Sequence, residues 1–196
     1  MEADFETRGY VVGRVTMEPY AKGAAHDPGG DKPDREYHLA PGHETRLAVV
    51  LDPAGKLHWE TGNLDGDHLL MVLGRSVSDA HLRELVSRGV SYLVAPDERI
   101  DPAWLLDELA GKFDASRIFV EGGGILNGGF LTAGLVDRIS ILLVPAIDGR
   151  SAAHNIFETG EDGLAKHMKL RLVSVEQEVH QMIHLTYDVN CDTAVR

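Results

Sequence analysis

Hydrophobic residues in this chain fall into short, unbroken runs separated by polar, Gly- and Pro-rich turns. Tyr10-Val11-Val12, running into Gly13-Arg14-Val15-Thr16, predicts a first strand followed by a brief helical segment through Tyr20. Residues 22–46 hold Gly23, Gly29, Gly30 and Gly42 with Pro28, Pro33 and Pro41, and predict an exposed, irregular and mobile loop. Leu47–Leu51 reads as a buried strand stopped by Asp52-Pro53-Ala54-Gly55, and Leu69–Leu73 as a second. Ser76 and Asp79 have the spacing of a capping box ahead of a helix with Leu82, Leu85 and Val86 on one face and Gly89 at its end. Val90–Ala95 is strand again. Asp101-Pro102 opens a helix carrying Leu105, Leu106 and Leu109 and ending near Gly111.

Further along, Arg117–Glu121 predicts a strand, and Gly122-Gly123-Gly124 opens a helix that runs to Gly134. Leu135–Val144 is a long apolar strand. Lys169–Glu176 and Val179–Val189 are two more strand-like segments, so close that they form either a hairpin or a continuous bulged pairing. Strands alternating with helices and finishing antiparallel predict an α/β three-layer sandwich with a mixed, mainly parallel sheet ending in antiparallel C-terminal strands. The expected organisation is a single domain over 1–190 with a C-terminal tail at 191–196, without repeats or low-complexity segments.

The chain has 196 residues, with 19 Lys+Arg against 31 Asp+Glu and a net charge of −12. That balance argues against a nucleic-acid or acidic-membrane partner, since both demand a surplus of Lys and Arg on some face. A phosphorylated ligand would have to be held by local donors. Cys191 is the single cysteine, so no internal disulfide forms. Residues 1–8 are polar and acidic rather than a signal peptide, and the longest apolar run, Ile139–Ile147, is far too short to span a bilayer. A soluble, cytoplasmic protein is expected, with no membrane partner.

The stretch most informative for chemistry is Arg117–Gly129, RIFVEGGGILNGG. A strand ends in the carboxylate of Glu121, glycines follow, and a helix begins. Ligands of α/β sheets bind outside the carboxyl ends of strands, and free N–H groups at a helix start favour negative charge. The glycines either let the backbone approach a phosphate or simply make a tight turn. Gly128 and Gly129 lie inside the helix, where each costs about 1 kcal/mol against alanine, so a ligand or a neighbouring backbone must come close. The Rossmann fingerprint is not met, because Asn127 stands where its third glycine belongs, and no Gly-Lys-Ser/Thr of a Walker loop follows.

The ten histidines are scattered without HExxH or Cys/His ligand spacing, and His180 and His184 share a strand face, so no metal is expected. Ser76 and Ser78 lie in a helix cap without a Gly-x-Ser-x-Gly elbow, and Trp59 and Trp104 read as packing residues.

The run EGGGILNGGFLTAGLVDRISILLVPAIDG, with VGRVTMEPYAKG at Val12–Gly23 and AVVLDPAGKL at Ala48–Leu57, resembles the dihydrofolate-reductase-like reductases, specifically the pyrimidine reductases of riboflavin biosynthesis that form the C-terminal half of bifunctional deaminase-reductases. The resemblance covers most of residues 10–189. It implies a dihydrofolate-reductase-like fold and an NADPH-dependent oxidoreductase, like 5-amino-6-(5-phosphoribosylamino)uracil reductase or dihydrofolate reductase. The small-molecule substrate would be a pyrimidine- or pteridine-like heterocycle or a carbonyl compound. By the same resemblance, two helix N-termini close on the cofactor pyrophosphate, here Gly13-Arg14-Val15-Thr16 and Gly122-Gly123-Gly124-Ile125-Leu126-Asn127. Gly74 and Arg75 fall where such reductases contact the adenosine ribose or its 2′-phosphate, though a solvated surface arginine is the other reading of Arg75. Glu121 faces the substrate, or else is a strand-end carboxylate satisfied by backbone N–H groups. The proton donor is unassigned, with Glu18 and Glu121 as candidates. A homodimer through the C-terminal strands is implied.

The family's sheet normally begins with a strand carrying Ser-x-Asp-Gly. Only MEADFETRG precedes Tyr10 here, so that strand is expected to be absent. An NADPH-dependent reductase and a non-catalytic nucleotide-binding or truncated remnant of the same fold are therefore the two functional expectations.

Overall fold

The structure, a computed structural model, describes residues 7–149, 155–161, 163–164 and 168–191. The chain packs as two compact units, Met1–Gly123 and Gly124–Arg196, where the sequence reads a single domain over 1–190. Of the tail read at 191–196, only Cys191, the last residue of the final strand, is among the described residues. Residues 1–6, where the family's first strand is expected to be missing, also lie outside them.

The first unit is built on a parallel sheet. Strands β1 (Gly9–Gly13), β3 (Leu47–Leu51), β5 (Asp67–Leu73), β6 (Ser91–Val94) and β7 (Phe119–Val120) all run the same way, while β2 (Tyr37–His38) pairs antiparallel with β6 and β4 (Asn63–Leu64) with β5. The order is β2-β6-β5-β3-β1-β7, with β4 off that path. Register is continuous from Gly9 opposite Leu47 to Gly13 opposite Leu51, and from Leu47 opposite His68 to Leu51 opposite Val72. A side chain at Gly9 would sit 2.1 Å from the Leu47 carbonyl oxygen, so glycine allows the first pairing to close.

Unbroken apolar runs mark strands covered on both faces, and β5 is buried from His68 to Leu73. Val12, Ala48, Val50, Leu69, Met71, Leu73, Tyr92 and Val94 form one cluster with Met17 of α1 (Arg14–Met17) and with Leu82 and Leu85 of α2 (Asp79–Ser87). The alternate positions Val11, Val49, Leu70, Val72 and Leu93 are as deeply buried but lie outside that cluster, as do Leu105, Leu109 and Phe113 of α3 (Pro102–Phe113). Right-handed crossovers account for this. The β5–α2–β6 connection moves outward along the sheet and β6–α3–β7 returns past β1, so the two helices take opposite faces. Trp59 is buried and its indole N–H points at the Met71 sulfur, 3.1 Å away, as the packing reading expects.

Helix α2 corrects the capping expectation. Its N-cap is Ser78, whose Oγ accepts from the His81 amide at 3.2 Å, because the extended backbone immediately before Asp79 belongs to Ser78. Ser76 instead donates to Glu98 at 2.6 Å, and Asp79 is paired with Arg35. Helix α3 follows expectation at its start, with Asp101 Oδ1 accepting from the Ala103 amide at 2.9 Å, but continues through Gly111 to a left-handed stop at Asp114. Strand β7 is two residues long. Arg117 and Glu121, expected within it, flank it with single bonds: the Arg8 amide donates to the Arg117 carbonyl at 3.0 Å, and the Glu121 amide to the Val11 carbonyl at 2.9 Å.

The 22–46 segment contains β2 and is tied at several points. The Arg35 guanidinium donates to the carbonyls of Arg75 (2.7 Å) and Val77 (3.0 Å). Arg83 grips Asp27 with two nitrogens, at 3.0 and 2.9 Å, and holds that exposed carboxyl at about 2. The Tyr92 hydroxyl donates to the Asp34 carbonyl at 2.7 Å, and burial pushes this phenol up to about 12.

The second unit holds α4 (Gly124–Thr132) and the strands β8 (Arg138–Leu143), β9 (Met168–Gln177) and β10 (Ile183–Cys191). These three strands form their own antiparallel sheet in the order β8-β10-β9, because β10 is hydrogen-bonded on both sides within it. The pairing of β9 with β10 is a hairpin with a register shift at Thr186/Tyr187, so it has both features left open by the sequence. No helix among the described residues is long and apolar enough to cross a membrane.

Ser91, fully buried, joins the β2 segment to the sheet: its Oγ accepts from the Ala40 amide at 2.9 Å and shares a hydrogen bond with His68 Nε2 at 2.7 Å. Burial, assisted by the neighbouring His43, holds the His68 imidazole below its ordinary pKa. The unfolded chain therefore takes up a proton before the folded protein does. This stability is complete above about pH 6.5 and is lost as the pH falls below it. Denaturant unfolding should show a lower midpoint at about pH 5.5 than at pH 7.5. Ser91→Ala should cost about 1–3 kcal/mol at the higher pH by orphaning both partners.

Candidate functional site

The five parallel strands of the first unit present their carboxyl ends along one edge. From β1 the chain moves to β3, β5 and β6 on one side and then places β7 on the other, which makes the β1/β7 boundary the topological switch point of the sheet. Open α/β sheets form their binding crevice at such a point, outside the carboxyl ends. Gly13 and Arg14 follow β1 there, and Glu121, Gly122 and Gly123 follow β7 beside it. Gly74 and Arg75 leave β5, which is separated from β1 only by β3 and hence by about 10 Å at two strand spacings.

Gly13 is extended (φ −82°, ψ 156°), and an added side chain would meet nothing within 4 Å, so its backbone faces open space. Helix α1 is a single turn of four residues. Arg14 donates to Glu18 at 3.3 Å across that turn, while Val15 and Thr16 are exposed. Glu18, one of the two proton-donor candidates, is thus an exposed partner of Arg14 at the helix end. Gly74 is buried, and a side chain there would approach the carbonyl oxygens of Pro53 and Glu98 to 2.8 and 2.9 Å, so packing alone explains this glycine. Arg75 is exposed, with its amide donating to the Asp97 carbonyl at 3.1 Å. Glu121 is exposed too. The Tyr10 phenol is pushed above its ordinary pKa, first by burial and then by the negative charges of Asp67 and Glu121.

The glycines after Glu121 differ in their reasons. Gly123 is exposed, and a side chain on it would meet nothing within 4 Å. In the second unit, Gly124 and Gly128 are shaped by a neighbouring segment of chain, since added side chains would lie 2.5 Å from the Asn155 carbonyl oxygen and 1.9 Å from that of Glu158. The neighbouring backbone, not a ligand, accounts for Gly128. At Gly129 a side chain would meet nothing within 4 Å. Ile125 is 76% exposed, and Leu126 and Asn127 are half-buried. Asn127 donates to the Ile156 carbonyl at 3.1 Å, and its Oδ1 has no partner among the described residues. The first-turn amides of α4 have no intrahelical acceptor and form a donor set suited to an oxyanion. A shallow hollow of about 320 Å³ elsewhere in this unit, lined by Leu143–Ile147, Gln181 and Ile183, carries no titratable group.

One cluster escaped the sequence reading. His58, His81 and Glu84 bring their donor atoms within 4.8 Å of one another inside the first unit. Its only trace in the sequence is the His81-x-x-Glu84 spacing on α2; His58 arrives from a separate loop.

The family model described as the RibD C-terminal domain matches residues 4–184. The chain is 32% identical over 136 residues to the 2,5-diamino-6-ribosylamino-4(3H)-pyrimidinone 5′-phosphate reductase of Methanothermobacter thermautotrophicus. That match takes in 68% of this chain and spans only 61% of the relative's length. In fold, the chain is similar to a pyrimidine reductase-like protein from Corynebacterium diphtheriae (TM-score 0.69, 19% identity, 95% of this chain and 77% of that one). It is also similar to the RibD protein of Acinetobacter baumannii (TM-score 0.62, 19% identity, 94% and 47%). With an open glycine turn behind Glu121, a Gly-Arg-Val-Thr turn beside it at the switch point of a parallel sheet, and a family model matched along almost its whole length, this chain belongs to the RibD C-terminal domain family.

Proposed function

We propose that this chain is an NADPH-dependent reductase that transfers hydride to a small pyrimidine-like heterocycle or carbonyl compound and works as a cytoplasmic homodimer. The observation that carries the reading is the β1/β7 switch point, where Gly13-Arg14 and Glu121-Gly122-Gly123 stand on adjacent strands. The curated relative's name supplies the substrate class, a ribosylaminopyrimidinone phosphate.

The residues fit a dinucleotide phosphate. Gly13 and Gly123 leave open space where a side chain would otherwise stand, so backbone amides can reach an oxyanion. Arg14 supplies a guanidinium whose present partner, Glu18, is exposed and readily exchanged. These donors, with Val15 and Thr16 of α1, give a local positive site in a chain of net charge −12. In the second unit, Gly124, Ile125, Leu126 and Asn127 at the start of α4 are cofactor-binding candidates on the resemblance alone. Gly74 lets the chain turn tightly after β5, and the exposed Arg75 that follows is the candidate for a ribose 2′-phosphate. When bound, the nicotinamide supplies a hydride. Glu121 binds and orients the substrate at the end of β7, where its exposed carboxyl group is free to accept hydrogen bonds from ring N–H groups. The exposed apolar residues of the C-terminal sheet, Leu142, Leu143, Leu170, Leu172, Val173 and Val175, support self-association through those strands.

Titration with NADPH, followed by nicotinamide fluorescence, tests the reading directly. Saturable binding with oxidation of the cofactor in the presence of a ribosylaminopyrimidinone phosphate is expected; binding without turnover would favour the non-catalytic, nucleotide-binding alternative. Gly123→Val should weaken NADPH at least roughly tenfold by blocking backbone approach. Its far-ultraviolet circular dichroism should stay that of the parent, since the added side chain has room. Glu121→Gln should raise the substrate KM by roughly tenfold, the value of a charged hydrogen bond, while leaving NADPH affinity unchanged. Val175→Glu should shift the protein from dimer to monomer in sedimentation velocity.

A further inference from the structure

We infer that His58, His81 and Glu84 form a binding site for a divalent first-row cation, with zinc as the best match to a two-histidine, one-carboxylate donor set. Nothing in the reductase reading requires this site, and it stands without that reading.

His81 and Glu84 lie three residues apart on one face of α2, and His58 comes from the loop after β3. All three donor atoms fall within 4.8 Å of one another. A tetrahedral zinc with donors at about 2.0–2.2 Å requires separations of roughly 3.4 Å, so small side-chain rotations close the set. Part of it is already closed, because His58 Nδ1 lies 2.8 Å from Glu84 Oε1.

That contact alone would be an ordinary ion pair. His81 is what an ion pair leaves unexplained. Its ring is 6% exposed, yet neither nitrogen has a hydrogen-bond partner among the described residues. Nδ1 faces Glu84 Oε2 from 3.8 Å, beyond hydrogen-bonding distance, and the ring packs edge-on against His58 with centroids 5.2 Å apart. A buried imidazole left without partners costs free energy that a bound ion would recover.

The surroundings fit a cation. Glu84 is 2% exposed, and its Oε2 accepts from the His26 amide at 3.1 Å, which orients the carboxylate as an outer-shell partner would. Asp52, fully buried with Oδ1 also unpartnered among the described residues, acts electrostatically on His81. Two buried carboxylates beside the imidazoles make surroundings that suit a divalent ion. The half-exposed His58 gives a path for entry and leaves a fourth position for water. The ion would tie the loop after β3 to α2 as a structural link.

The test uses the full chain stripped with a chelator and dialysed. Isothermal titration with zinc chloride should show about one saturable equivalent and a thermal midpoint raised on binding. Cobalt(II) should give the visible absorption of a tetrahedral site. His58→Ala, chosen because His58 is partly exposed and its loss should not unfold the chain, and Glu84→Gln should each weaken zinc by more than roughly tenfold. His184→Ala on the C-terminal hairpin should bind as the parent does. Absence of a saturable equivalent in the parent, or parent-like binding by both His58→Ala and Glu84→Gln, would overturn the site and leave His58–Glu84 as an ion pair.

Discussion

The parallel pairing of β1 with β3 on one side and β7 on the other is the constraint on which the rest of the first unit depends. A strand hydrogen-bonded on both edges and buried on both faces must be apolar throughout. Tyr10-Val11-Val12 meets this, and Gly9 meets it where the Leu47 carbonyl leaves no room for a side chain. Parallel neighbours need crossovers, and right-handed crossovers must place α2 and α3 on opposite faces once β7 returns past β1. Every carboxyl end then points to one edge. The glycine and arginine after β1 and the glutamate and glycines after β7 become neighbours although more than half the chain separates them.

This geometry would reconcile an acidic protein with the anionic cofactor proposed for it. The global charge opposes phosphate, but its field is screened beyond about 8–10 Å at ordinary ionic strength. Directed amides and a guanidinium act at contact distance. Glycine matters only where the backbone itself must be the donor, and the glycine-rich run separates into two kinds on that criterion. Gly13 and Gly123 border open space, whereas Gly124 and Gly128 are required by the approach of the 155–158 segment.

Strands Leu47–Leu51 and Leu69–Leu73 were legible because two-sided burial writes an unbroken apolar run, and the α3 start because Asp101-Pro102 satisfies its own local rule. What was not legible depends on partners distant in sequence. Ser76 and Ser78 have equal claims as a cap until Glu98 takes the first and the helix begins after the second. Arg117–Glu121 reads as five strand residues, but β1 offers β7 a matched ladder at only Phe119 and Val120. Tyr37–His38 lies within a Gly- and Pro-rich loop and becomes a strand only because β6 needs a neighbour. The switch point itself was visible as the glycine run behind Glu121; its pairing with Gly13-Arg14 came from the resemblance and not from spacing.

The histidine cluster is the clearest case of chemistry that spacing alone cannot reveal. Asp52 follows β3 and uses Oδ2 to accept from the Lys56 and Leu57 amides, at 2.5 and 2.7 Å, folding the following loop back on itself. Leu57 and Trp59 then bury on either side of His58, and the Gly23 amide donates to the His58 carbonyl at 2.9 Å. Alternation along this short extended stretch turns the side chain between two core residues the other way, toward α2. There the Ser78 cap sets where the helix begins, and the helical period brings His81 and Glu84 onto the same face. A capping serine, an aspartate just past β3 and two core side chains thus aim three polar groups at one point. A bound divalent cation would give this carboxylate and both imidazoles one common partner, including the His81 nitrogens that no neighbouring group satisfies among the described residues.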